Sequence, residues 1–482
     1  MQDSNKLVTY SLLAQINTKN GGVSKLETIF IPLVKKGIAE MNEKGVTEGA
    51  STIEIKKEVD KLFGLDIPMP LLNQLLKEIA VGVNEDEILF KLNNDGSFQM
   101  RNYMFSDVDE AMDSGAKQIE LVEKLYDEYL LATNYEGERL SIVDFIDLNK
   151  LHLSNYFSST KTTEKTRVNL ENEKYQLIAR FLDDLKLDPS MFKTLRQVYL
   201  GSVLASYLEY NIENVSIEME LLLDTSFLLS VLNLKSEEAY HTCNKIIEIG
   251  KKMSFKLSIL PITIEEARNL LEIIARNLDD SFIERYVDPE SIYNACQRRN
   301  INRTDLERIT SKIESAAKEL GINIIAYDEN LRKKAKHNYP NIYQKYIDKG
   351  KSAFSALHDT CAEVYVYEKR TKKVNSFIEA QSWFVIYGHN FSKLYRKNGV
   401  LPATIRAEEL VNILWLTNPE ISSAFKETEF ANLGITRLIS TTLSDTLPTS
   451  KVLRQLDDNL KKYSNLNFTP EDCVLAASKF AE

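Results

Sequence analysis

Four short apolar runs alternate with stretches of helical periodicity between Leu221 and Tyr387, and this alternation constrains the fold more than any other feature. The runs are LLL at 221–223, FKLSILP at 255–261, INIIA at 322–326 and WFVIY at 383–387. Strands separated by helices predict a parallel α/β sheet. Right-handed crossovers bring the C-terminal ends of such strands to one edge, where ligands bind.

The polar residues at those strand ends are the candidates for chemistry. Asp224 ends the first run, in LLLDTSFLL. A carboxylate there is rigid and suited to holding a metal ion, and Asp, Thr and Ser are equally ordinary helix N-caps. The second run leads into Thr263-Ile264-Glu265-Glu266, which puts a Glu in the first turn of the next helix. Asp359 is expected near the start of a helix over 359–367, ahead of the fourth run. Three carboxylates at one edge repel each other, and a divalent cation relieves that repulsion. Oxygen ligands with no Cys and little His favour Mg²⁺ or Mn²⁺ over zinc.

The order and spacing of these elements resemble the PIN domain family of metal-dependent nucleases. Leu222-Leu223-Asp224-Thr225-Ser226-Phe227 matches the family's opening strand and acid. Thr263-Ile264-Glu265-Glu266 matches its Thr-x-x-Glu, registering Glu266 with Glu265 as the alternative, and Asp359-Thr360-Cys361-Ala362 matches its third acid. At the fourth, Tyr387-Gly388-His389-Asn390-Phe391 has His389 or Asn390 where the family has Asp. The resemblance covers about residues 217–400. It implies a central parallel sheet and Mg²⁺- or Mn²⁺-dependent hydrolysis of RNA, less often DNA. Asp224, Glu266 and Asp359 would be the catalytic metal ligands, with a carbonyl oxygen from Asn390 or a phosphate contact from His389. His358 is either a further phosphate contact or a structural residue.

The interval after Glu266 is long for such a domain, so a helical insertion is expected over about 267–345. Residues 291–351 hold thirteen Lys/Arg against seven Asp/Glu, in a chain whose net charge is −10. Arg298, Arg299, Arg332, Lys333 and Lys334 either hold a polynucleotide backbone or form a solvated face. Tyr293, Tyr327 and Tyr339 lie among them, as base-stacking residues or as packing.

The remaining sequence divides into three more segments. Residues 1–105 read helix, helix, helix, hairpin, with a turn at Asn93-Asn94-Asp95-Gly96, which is the order of a winged helix. Residues 51–101 carry six Lys/Arg against nine Asp/Glu, so the DNA-binding footprint is missing. A protein partner or a second copy of the chain is the better expectation for this module. Residues 106–215 form a helical connector, with a polar linker near 158–167 and one helix expected to bury Ile119, Leu121, Val122, Leu125 and Tyr129. Residues 401–482 are helical again. The fold class expected is α/β, a parallel-sheet PIN-like domain embedded in a mostly helical multidomain chain.

Several classes are excluded or disfavoured. There is no GxxxxGK[ST] loop, GxSxG elbow or HExxH pair. Cys243, Cys296, Cys361 and Cys473 are far apart, which argues against a disulfide framework or a zinc site. The first residues lack a secretory signal and no uncharged run reaches membrane-spanning length, so no membrane partner and a cytoplasmic location are expected. Such a nuclease would suit a toxin or defence effector, a role that no residue specifies. The competing reading is a degenerate PIN-fold scaffold or regulator that binds protein partners or DNA, favoured by the missing fourth acid.

Overall fold

The computed structural model describes residues 2–19, 26–84, 87–93, 95–101, 104–105, 108–148, 173–206, 208, 218–278, 288, 290–370, 374–375, 377, 379–388, 400–417, 427–444 and 455. The chain is a mixed α/β protein in two compact units. The first combines Met1–Phe157, Glu164–Asn214 and Asn412–Thr442, and the second combines Ser158–Thr163, Val215–Val411 and Leu443–Glu482. No helix among the described residues is long and apolar enough to cross a membrane.

In the first unit, helices Ile31–Glu43, Thr52–Phe63 and Met69–Val83 accompany a three-stranded antiparallel sheet whose first strand lies between the first two of them. The strands are β1 (Glu48–Gly49), β2 (Phe90–Leu92) and β3 (Phe98–Met100), in the order β1-β3-β2. Ser51 caps the second of these helices by accepting a hydrogen bond from the Ile53 N–H, and Gly64 ends it in the left-handed conformation. The hairpin is in register with Phe90 opposite Met100 and Leu92 opposite Phe98, which puts both phenylalanines in the core. Two elements here were not expected: β1, and an opening helix Gln2–Lys19 that packs on Pro189–Ser206. The Asp109–Ala132 helix buries Ile119, Val122, Tyr126 and Leu130, and leaves Leu121 exposed. Its buried stripe therefore follows the three- and four-residue helical spacing through Tyr126 rather than through Leu121 and Leu125.

The second unit is built on a five-stranded sheet. β4 (Glu220–Leu223), β5 (Lys256–Ile259), β6 (Asn323–Ile324), β7 (Ser382–Ile386) and β8 (Thr404–Arg406) lie in the order β6-β5-β4-β7-β8. All four pairings are parallel. β4 and β7 are buried along their whole length, as parallel strands covered on both faces must be. The chain builds outward from β4 to β6, then returns to the other side of β4 with β7. The strand order thus reverses between β4 and β7, and in open α/β sheets ligands bind beyond the C-terminal strand ends at such a point.

Helices fill the connections. Thr225–Val231 and Glu237–Lys252 join β4 to β5. Pro261–Asn277, Ile292–Arg298, Arg303–Ser311 and Ile313–Glu319 lie between β5 and β6. Glu329–His337, Pro340–Asp348 and Ala353–Arg370 lie between β6 and β7. The last of these starts six residues before Asp359, because Ser352 caps it by accepting from the Ser355 N–H. Asp359 is thus inside the helix, and Glu266 is likewise in the second turn of its helix rather than the first.

Candidate metal centre

Asp224 is both a helix cap and a member of a cluster, one role for each oxygen. Its backbone continues the sheet, donating to the Val385 carbonyl at 3.0 Å. Its Oδ2 accepts from the Ser226 N–H at 3.1 Å and from the Ser226 hydroxyl at 2.5 Å, as the N-cap of Thr225–Val231. The Tyr387 N–H donates to the same hydroxyl at 3.1 Å, which ties the cap to the end of β7. Its Oδ1 accepts no hydrogen bond among the described residues, and the nearest imidazole nitrogen, His358 Nε2, is 3.9 Å away.

Glu266 reaches the cluster from the neighbouring connection. The Thr225 hydroxyl donates to its Oε2 at 2.5 Å. Glu265 points elsewhere and is held by Arg332 at 2.7–2.8 Å, so Glu266 is the one of the pair beside Asp224.

Asp359 and His358 complete the group from the Ala353–Arg370 helix. His358 is wholly buried. Its Nδ1 lies 3.0 Å from Asp359 Oδ1 and 3.2 Å from Glu266 Oε2, and its Nε2 lies 2.9 Å from the Thr263 hydroxyl. Ligand atoms of Asp224, His358 and Asp359 all fall within 4.8 Å of one another. The other Asp359 oxygen carries the ammonium of Lys351.

The electrostatics follow from gathering three acids in a buried place. Burial raises the Asp224 carboxyl above its ordinary value; Asp359 and Glu266 add to the rise against the opposing pull of His358. Burial works against a charged imidazole too, yet Glu266 and then Asp359 outweigh it and raise His358 to about 9. Burial would also raise Asp359, but the hydrogen bond and charge of His358, with Lys351, hold it below the ordinary value. Lys351 is raised because Asp359 and Asp224 outweigh its burial.

The basic residues singled out from the sequence have partners within the protein. Arg298 binds the Asn233 side chain and the Lys235 carbonyl, and Arg299 binds the carbonyls of Leu232 and Asn233. Both therefore satisfy the open carbonyls just after the Thr225–Val231 helix. Arg332 holds Glu265 and lies over the Tyr327 ring at 5.2 Å. Lys333 pairs with Glu329 at 3.0 Å and Lys334 with Glu368 at 2.8 Å. Tyr293 is buried and Tyr327 exposed. His389 and Asn390, like the linker near 158–167, lie outside the described residues.

Two members of the cluster were not assigned to it from the sequence. The sequence shows Lys351 only as one charge in a basic run, and His358 only as a phosphate contact or a structural residue. Comparison of the chain with protein families, with curated proteins and with solved structures gave no match.

Proposed function

We propose that the second unit is a PIN-like, divalent-metal-dependent nuclease and that RNA is its substrate class. One observation carries the reading: carboxylates from three separate connections meet at the sheet's reversal point, and Asp224 Oδ1 accepts no hydrogen bond among the described residues. Three carboxylates gathered there repel one another, which with burial raises the Asp224 carboxyl, and a bound cation relieves that repulsion. The donor set fits Mg²⁺ or Mn²⁺, being hard oxygen from Asp224, Glu266 and Asp359. Such an ion, when bound, supplies a water of lowered pKa and a clamp for the phosphodiester.

The chain's own groups prepare the site. Ser226 fixes the Asp224 carboxylate so that Oδ1 faces the cluster. Thr225 fixes Glu266, and His358 bridges Glu266 and Asp359 from the buried side. The choice of RNA rests on the family resemblance. For residues 1–105 we propose a winged-helix-like module that contacts protein, since its surface lacks a basic excess.

The test is incubation of the purified protein with structured and single-stranded RNA and DNA in Mg²⁺ or Mn²⁺, beside Asp224→Asn. Metal-dependent cleavage that the variant loses supports the nuclease and names the polymer. No cleavage, with no metal binding by calorimetry, sinks it.

A second reading, a scaffold that needs no metal, is favoured by the pairing of Asp359 with both His358 and Lys351. It requires that Mn²⁺ leave the stability of the protein unchanged.

A further inference from the structure

The Pro340–Asp348 helix ends in a way that aims one lysine at the acids. The Gly350 N–H donates to the Ile347 carbonyl at 2.8 Å, and the Lys351 N–H donates to the Tyr346 carbonyl at 3.2 Å. With Gly350 at φ +81, this pair of bonds is a Schellman motif. The motif turns the chain sharply, so Lys351 leaves it directed back across the end of the helix. Tyr346 holds it there: its ring lies 5.4 Å from Lys351 Nζ, and its hydroxyl is anchored on Glu363 of the Ala353–Arg370 helix. The ammonium lands on Asp359 Oδ2, and Asp359 is only 2 % exposed.

We infer that Lys351 is a resident cation of the cluster, standing where a second divalent ion sits in a two-metal site, so that each chain binds a single Mg²⁺ or Mn²⁺. This rests on the metal-binding reading above. Two-metal centres hold their ions about 3.5–4 Å apart, with ligands shared between them. The oxygen that Asp359 would share is taken by Lys351, and its other oxygen faces His358. Among the acids, Asp224 Oδ1 and Glu266 Oε1 are left without a hydrogen bond among the described residues. Those two oxygens, with the Asp359 oxygen beside His358, are the ones left to hold one ion. Charge leads the same way: the Lys351 ammonium and the His358 imidazole already face the three carboxylates, which leaves little negative charge for two dications. A second dication would add like charge in a poorly solvated place, where repulsion is strong. The sequence has His389-Asn390 where the family resemblance expects a fourth acid, so it supplies no further carboxylate there to offset that charge.

The test is isothermal titration of the full-length protein with MnCl₂, comparing wild type, Lys351→Met and Lys351→Arg. Methionine keeps the unbranched stem of the side chain without its charged end, and arginine keeps the charge. The expected stoichiometry is one Mn²⁺ per chain for wild type, two for Lys351→Met and one for Lys351→Arg. Thermal unfolding of each variant confirms that a folded protein is being titrated. Two ions in wild type overturn the inference, as does one ion in all three. An absence of Mn²⁺ binding in wild type and Lys351→Met overturns the metal-binding reading along with it, and is told apart by the missing heat in the wild type. Should Lys351→Met not fold, Lys351→Gln takes its place with the same expected pair of ions.

Discussion

Asp224 divides its two oxygens between holding the fold and facing the cluster, so Asp224→Asn separates the two roles. Asparagine caps a helix as well as aspartate does, and its carbonyl can take the bonds from Ser226. What is lost is a buried charge whose pKa is raised, which at neutral pH disfavours the folded state. We expect the variant to melt no lower than wild type in EDTA, while its Mn²⁺ affinity falls roughly 100-fold, about 2.7 kcal/mol; a lower melting point together with full affinity would refute this. At the N-terminal end of the same strand, Glu220 behaves in the opposite sense. Burial opposes its charge, but Ser258 at 2.7 Å and Lys256 at 3.0 Å prevail and depress its pKa. A depressed carboxyl stabilises the fold above its unfolded value of 4.5 and loses that contribution as pH falls through the folded value. Urea midpoints between pH 6 and 3 should therefore fall less steeply in Glu220→Gln than in wild type. Asp224 and Glu266 were legible because each follows an apolar run by a fixed short distance. Lys351 was not, since a lysine in a basic run shows its partner only after a turn has aimed it.

At the scale of elements, close packing explains what propensity does not. A Cβ on Gly201 would lie 1.8 Å from the Tyr10 carbonyl oxygen, so the Gln2–Lys19 and Pro189–Ser206 helices touch backbone to side-chain position there. Gly201→Ala must separate them, and overpacking of this kind costs about 1–3 kcal/mol or more. Gly82 lies in the Met69–Val83 helix with nothing within 4 Å of its added Cβ. Gly82→Ala should therefore stabilise by about 0.5–1 kcal/mol through helix propensity alone. Urea unfolding of both variants checks the contrast, and equal midpoints would disprove it. The same distinction separates what could be read in advance. The strands over 221–223 and 383–387 were legible from unbroken apolar runs. β8 was not, because three residues, Thr404–Arg406, carry no period and form a strand only through pairing with β7. The start of the Ala353–Arg370 helix was missed for a related reason. Asp359 has the composition of a cap, but its bonds to His358 and Lys351 hold it mid-helix, and Ser352 does the capping.

At the scale of the molecule, strand order decides which residues meet. Local pattern gives strands and helices, while the order β6-β5-β4-β7-β8 depends on pairings distant in the chain, above all that of Leu221 with Trp383. That order puts Asp224, Glu266 and Asp359 around one reversal point, and it makes the second unit's stability respond to whatever binds there. A ligand that binds only the folded form stabilises it by about 2.7 kcal/mol at a hundred times its dissociation constant. Amides that exchange through opening of the whole unit should then slow by about 100-fold. Hydrogen exchange with saturating Mn²⁺ should accordingly protect peptides from 218–231, 261–277 and 353–370, each of which carries a member of the cluster. Peptides from 2–19 and 189–206, which carry none, are the internal reference. Protection should vanish in Asp224→Asn, whose fold remains but whose central oxygen no longer bears charge. If Mn²⁺ protects none of the three peptides in wild type, then Lys351 and His358 neutralise the acids by themselves, and the cluster is a buried ion-pair network of a scaffold.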